Sequence, residues 1–263
     1  MKAWRLVALV AVIVAGMTYA SETSPPSLPA FKVESRVDLG EAEKAVTSSI
    51  TIFSRTKVFD FLEKPAEVTI IDWRDQRVVL LNPLHHEQTE LSFDTIFRFQ
   101  ERVQARALQD KDPRQRFFAN PAFTIRMDST EKELVFASNW LTYRVKVSDT
   151  VDPALIREFL RFSDVMAQLN CLLVKGSRLP HPRIKVNKTL LERNLFPEEV
   201  ILINGPRNFF EWLPGRRSIV RSTHHLVLEL TPQDRARLTQ AEEWTQTFRR
   251  VNFIDYQAKL AAE

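Results

Sequence analysis

Five histidines, one cysteine and 33 acidic residues are the groups with which this 263-residue chain could move protons, bind a metal or attack a substrate. Four of the histidines come as neighbours, His85-His86 and His224-His225. Adjacent residues of a strand point to opposite faces, so each pair offers at most one ligand to any site. No His-x-x-x-His or Glu-x-x-His spacing places two ligands on one helix face, and Asp72 or Asp75 would join a site only through folding. No metal site is therefore expected. Cys171 lies among Leu169, Leu172 and Leu173, surroundings that suit an inert buried thiol rather than a nucleophile with a lowered pKa. A serine nucleophile at a strained elbow would need Gly-x-Ser-x-Gly, which is missing. The acidic pairs Glu198-Glu199 and Glu242-Glu243 are neighbours only in sequence. After residue 20 the glycines are Gly40, Gly176, Gly205 and Gly215, too scattered to cradle a phosphate or dinucleotide. The sequence assigns no catalytic residue and no cofactor; an enzyme would need a site assembled by the fold.

The one unusual surface stretch runs from Pro206 to Arg217. It sets Phe209, Phe210, Trp212 and Leu213 in a Pro/Gly-bounded loop flanked by arginines. Aromatics beside cations suit a partner surface, a membrane interface or a flap over an apolar ligand, and equally a plug for a sheet end.

The elements that would position such a loop begin after an address. Lys2 and Arg5 precede an apolar run from Leu6 to Ala15, and Thr18-Tyr19-Ala20 supplies small residues for cleavage. That is the pattern of a secretory signal over residues 1–20, too short for a comfortable membrane span. It predicts a bacterial protein exported to the periplasm or cell envelope, with membrane contact at most peripheral. Losing Lys2 and Arg5 lowers the net charge from +4 to +2, and Lys and Arg are interspersed with Asp and Glu. No nucleic-acid partner is expected. With a single cysteine no internal disulfide can form, so the core alone must hold the fold.

Residues 21–30 form a Ser/Pro-rich leader, and residues 31–263 read as one domain without internal repeat or linker. Phe31 to Leu39 alternates apolar and charged residues as a half-buried antiparallel strand does. A meander follows, with strand material over 48–62, turns at 63–66 and 74–76, and strands near 67–73, 77–81 and 86–91. Ser92 caps a helix to about Leu108, and 110–116 reads as a charged loop. Further strands are expected near 123–127, 133–137 and 140–147, then a helix from Asp152-Pro153 with an apolar stripe of Leu155, Phe159, Phe162, Met166, Leu169 and Leu173. A short helix over 187–195, strands over 199–203 and 219–230, and a capped helix from Thr231 to about Phe248 complete the reading. The fold class is α+β: a curved antiparallel sheet covered by two or three helices.

The segment Val58 to Leu91, KVFDFLEKPAEVTIIDWRDQRVVLLNPLHHEQTEL with its leading Lys, resembles the half-barrel of periplasmic lipoprotein carriers of the LolA and LolB type. Its rhythm is a strand, a short turn, a strand ending in Asp72-Trp73 and a Leu-rich strand. The chain as a whole is similar to uncharacterised exported bacterial proteins. The resemblance implies an acyl chain bound between sheet and helices, hence a lipid or lipoprotein partner. The expected function is non-catalytic binding of an apolar ligand, with Phe53, Phe59, Phe61, Ile70 and Trp73 as cavity wall and residues 209–213 as lid. The alternative is an envelope protein without a cavity that uses the aromatic loop to contact a protein partner.

Overall fold

A computed structural model describes residues 28–40, 44–174, 177–205 and 218–260. The expected signal, most of the leader and the aromatic loop with Phe209, Phe210, Trp212 and Leu213 lie outside the described residues. Among the described residues twelve strands form one unclosed sheet in the order β12-β6-β5-β4-β3-β2-β1-β11-β10-β9-β8-β7. The first meander comprises β1 (Phe31–Leu39), β2 (Lys44–Phe53), β3 (Lys57–Leu62), β4 (Glu67–Asp72), β5 (Arg77–Asn82) and β6 (Glu87–Ser92). The second comprises β7 (Thr124–Asp128), β8 (Glu133–Ala137), β9 (Leu141–Ser148), β10 (Phe196–Asn204) and β11 (Ser218–Val227). They join where β1 pairs antiparallel with β11. Every pairing is antiparallel except that of the two-residue β12 (Arg249–Arg250) with β6.

From β3 to β6 the chain repeats every ten residues, six of strand and four of turn. Asp72 and Asn82 end successive strands and perform the same task. Asp72 Oδ1 accepts from the backbone N–H groups of Arg74 and Asp75, and Asn82 Oδ1 from those of Leu84 and His85. Gln76 and His86 then take matching positive φ angles of 51° and 50°. The regular spacing thus lies in geometry and an Asx-type turn bond, while the turn sequences differ.

Alternation along these strands sorts side chains to two faces. The inner face carries a straight cross-strand row, Phe31–Phe53–Val58–Ile71–Val78–Leu91. A helical layer covers it, formed by α1 (Phe93–Leu108), α2 (Pro113–Ala119), α3 (Pro153–Leu173) and α4 (His181–Glu192). Ser92 caps α1 and Asp152 caps α3 as expected. The charged loop over 110–116 is instead largely α2, capped by Asp112 with Pro113 in its first turn. The helix expected over 187–195 starts six residues earlier, with Pro182 in its first turn.

The outer face is not left to solvent. Ile52, Phe59, Ile70 and Val79 form a row there, and α5 (Pro232–Thr247) lies over its neighbourhood through Leu238, Ala241 and Trp244, followed by its C-cap residue Phe248. A reciprocal capping box between Thr231 and Asp234 starts α5. Lys32, on the charged face of β1, is buried because its Nζ reaches Asp234 Oδ2 at 3.1 Å and Glu34 Oε1 at 2.9 Å. After α5 the chain passes the β6 edge as β12 and returns to the inner face as α6 (Phe253–Leu260). There the Tyr256 hydroxyl donates to Glu67 Oε2 at 2.9 Å, and Gln257 Nε2 donates to the last carbonyls of α3, Leu172 and Leu173.

Candidate ligand-binding cleft

The five residues expected to wall one cavity are divided by the sheet itself. Phe53 packs in the inner core, ring-stacked on Phe31 at 4.3 Å and edge-on to Phe162 at 5.6 Å. Trp73 borders that core against Phe93, with the Arg161 guanidinium 3.7 Å from its ring centroid. Phe59, Phe61 and Ile70 belong to the outer core under α5. The physical reason is the strand period: Val58 and Phe59 are neighbours, so they face opposite ways. Each of the five has ordinary packing partners where it sits, and they do not surround one space.

The part of the inner face with incomplete cover lies across β2, β1, β11 and β10. Two cross-strand rows run through it, Leu39–Val220–Leu202–Tyr143 and Thr47–Val37–Ser222–Val200. Leu39 keeps 47% of its surface exposed, and Val37, Thr47, Leu202, Val220 and Ser222 are half-buried. A third row, Ser49–Ser35–His224, borders them. Opposite, Ser163 and Asp164 of α3 and Arg183 of α4 also retain open surface. Apolar side chains on this stretch of the inner face are thus partly exposed, with the polar groups Ser35, Ser49 and His224 beside them.

That polar end is a network tied to its neighbours by few contacts. Asn187 Nδ2 donates to Asp164 Oδ1 at 2.7 Å and to Ser163 Oγ at 3.0 Å, while its own Oδ1 is shut from solvent without a partner. Among the described residues Arg183 hydrogen-bonds Ser163 Oγ, through Nε and Nη2 at a long 3.4 Å each. The His224 imidazole meets Ser35 Oγ through Nδ1 at 2.9 Å and packs edge-on against Phe159 at 5.1 Å. Its Nε2 is buried and unpartnered.

Charges at this end are tuned by desolvation first. Burial pushes His224 down to about 3, and the nearby Arg183 charge adds to that. Burial raises Tyr143, against the charges of Arg183 and Arg178, and raises Asp164, against its Asn187 hydrogen bond and Arg183. Burial likewise lowers Arg183 from its ordinary value. His224 is thus neutral at physiological pH, hydrogen-bonded to Ser35 through Nδ1 and with Nε2 buried and unpartnered.

The other histidines do not gather. His225 points to the outer face, as the strand period requires, and His86 stacks on Phe248 at 5.3 Å. Among the described residues no group of three or more His, Cys, Asp or Glu is placed to hold a metal. Cys171 is a half-buried free thiol on α3. Sequence reasoning missed Tyr143, Asp164, Arg183 and Asn187. Only Tyr143 carried a readable signal, an inner position in the alternating strand Leu141–Ser148.

No protein-family model matches this sequence, and no curated protein matches it. A solved structure of a LolA superfamily protein from Nitrosomonas europaea is similar over 79% of this chain and 89% of that one, at 8% identity and a TM-score of 0.29. Among the described residues no helix is long and apolar enough to cross a membrane.

Proposed function

We propose that this is an exported, non-catalytic binding protein that holds an apolar chain against the half-open inner face of β2, β1, β11 and β10. The observation that carries the reading is the Leu39–Val220–Leu202 row, apolar side chains on the covered side of the sheet that keep surface open. Sites for small ligands are concave and mainly apolar with a few placed polar groups, and this cleft has that composition. Export is supported by the basic, apolar and small-residue order of residues 1–20.

Native mass spectrometry of the protein purified from a periplasmic extract without detergent tests this directly. The expected result is a mass excess that organic extraction removes and resolves into fatty acids or phospholipids. Val220→Asp, which sets a charge in the middle of the row, should lower that occupancy without changing the circular dichroism spectrum. A bare polypeptide mass, together with no uptake of Nile red or dodecanoate, would overturn the reading.

A further inference from the structure

We infer that β7 is an interface between two copies of this chain: the free edges of two β7 strands pair antiparallel about a two-fold axis at Met127 and join the two sheets into one. This goes beyond the ligand reading and does not depend on it.

Three observations carry the inference. First, β7 ends the sheet. Thr124 to Asp128 pair with Ala137 to Glu133 of β8 on one side, and no strand among the described residues pairs with the other side. Four of its five residues are exposed and the fifth, Ile125, is half-buried. An uncovered edge offers its backbone N–H and C=O groups to another strand, which proteins prevent with proline, bulges or repelling charge. This edge contains no proline, and no bulge interrupts its pairing with β8.

Second, an apolar row stops there unfinished. Val37–Ser222–Val200–Val145–Leu134–Met127 crosses the inner face from β1 to β7. Val200, Val145 and Leu134 are buried, yet Met127 at the end of the row keeps 44% of its surface exposed. Third, the charges of the edge complement themselves. Arg126 and Asp128 flank Met127 and so share the outer face. Arg126 forms no ion pair among the described residues. Asp128 stands opposite another acid, Glu133, whose carboxylate is held by Arg144 at 3.0 Å. Asp128 Oδ1 accepts from the N–H groups of Thr130 and Glu131, which leaves Oδ2 for a further donor.

One register satisfies all three. With the axis at Met127, that side chain meets its own copy on the inner face, and Arg126 meets the second copy's Asp128 on the outer face, twice by symmetry. Moving the axis to Arg126 would oppose two guanidinium groups, and moving it to Asp128 two carboxylates. A slip of one residue would set the inner face of one copy beside the outer face of the other. The occupant that this edge fits is therefore the same edge. Pairing of five residues a side buries less than the roughly 1,200 Å² of a standard interface, so the association is weak and reversible.

Sedimentation velocity of the full chain from about 5 μM to about 500 μM tests it. The sedimentation coefficient should rise with concentration to that of a dimer, and about 0.5 M salt should weaken the dimer by screening its exposed pairs. Arg126→Asp and Asp128→Arg each set like charges together at both ends and should weaken dimerisation about tenfold. Combining the two swaps the charges and should restore it, which damage to the fold would not do. In a Cys171→Ser background, Met127→Cys should form an intermolecular disulfide with copper phenanthroline as oxidant. Thr124→Cys, equally exposed, should not, because at about 3.4 Å per residue its copy lies about 20 Å away in this register. A chain that stays monomeric at the highest concentration would overturn the inference. So would a dimer that both charge reversals leave unchanged, or a disulfide that forms as readily at 124 as at 127.

Discussion

Replacing His224 with glutamine should flatten the acid sensitivity of the fold. The imidazole sits against Phe159 with Nε2 closed off, and burial together with Arg183 holds it near a pKa of about 3. The unfolded chain titrates this residue at its ordinary value of 6.5. Between those two values the unfolded state takes up a proton that the native state refuses, so native stability falls as the pH falls below 6.5. The slope approaches about 1.4 kcal/mol per pH unit, so acidification to pH 4.5 costs about 2.7 kcal/mol through this one group. Glutamine keeps a hydrogen-bonding partner for Ser35 and cannot be protonated. Urea unfolding of wild type and His224→Gln at pH 7.5 and pH 4.5 gives four free energies. Asp60 and Asp164 shift stability with pH in the opposite sense, but they are common to both proteins and cancel in the comparison. The pH-induced loss should be larger in wild type by about 2–3 kcal/mol. Equal losses would refute the closed environment, because the imidazole would then be charging in the native state as it does in water.

Asp60, buried with only hydroxyl partners such as Thr51 Oγ1 at 2.7 Å, has its carboxyl raised by desolvation. Its native form is therefore favoured at low pH and penalised as the pH rises through its folded pKa, so Asp60→Asn should gain about 1–3 kcal/mol at pH 8 and lose that advantage at pH 4, by thermal melting at both. Phe59→Ala should cost about 3–5 kcal/mol by opening a hole under α5, yet leave dodecanoate affinity within twofold because Phe59 faces away from the cleft. A large change in affinity would sink the two-faced arrangement. Tyr256→Phe removes the donor from Glu67 Oε2 and should cost about 1–2 kcal/mol in urea unfolding, with faster hydrogen exchange confined to α6 and the C-terminal end of α3.

The sequence marked most elements through local signals that needed no partner. Alternation from Phe31 to Leu39 named β1, and the stripe from Leu155 to Leu173 named α3, since each pattern reports one buried face. The cover on both faces of β3 to β5 was harder to read. Runs such as Val68-Thr69-Ile70-Ile71 and Val78-Val79-Leu80-Leu81 are apolar on both sides, the mark of a strand packed above and below. Assigning Phe53 and Phe59 to one wall overlooked that mark. The helix at Pro113 had the same Asp-Pro opening as the one at Pro153, but its charged composition hid it. The polar end of the cleft was not legible, because Tyr143, Asp164, Arg183 and His224 come from four elements and acquire their chemistry only from shared burial.

The seam between β1 and β11 gives the chain a timetable. Val33 pairs with Leu226, so the strand made first receives its second neighbour from nearly the last strand made. While the chain is extruded from its N-terminal end, β1 through β6 can zip up locally, but the far side of β1 presents unpaired N–H and C=O groups until residue 227 has emerged. Closure of that gap is a long-range step, slow by the entropy of the loop it closes. An open strand edge during that interval is an invitation to a second chain. Fast dilution should therefore favour recovery of this fold and crowding of nascent chains should oppose it, a vulnerability written into strand order rather than into any one side chain.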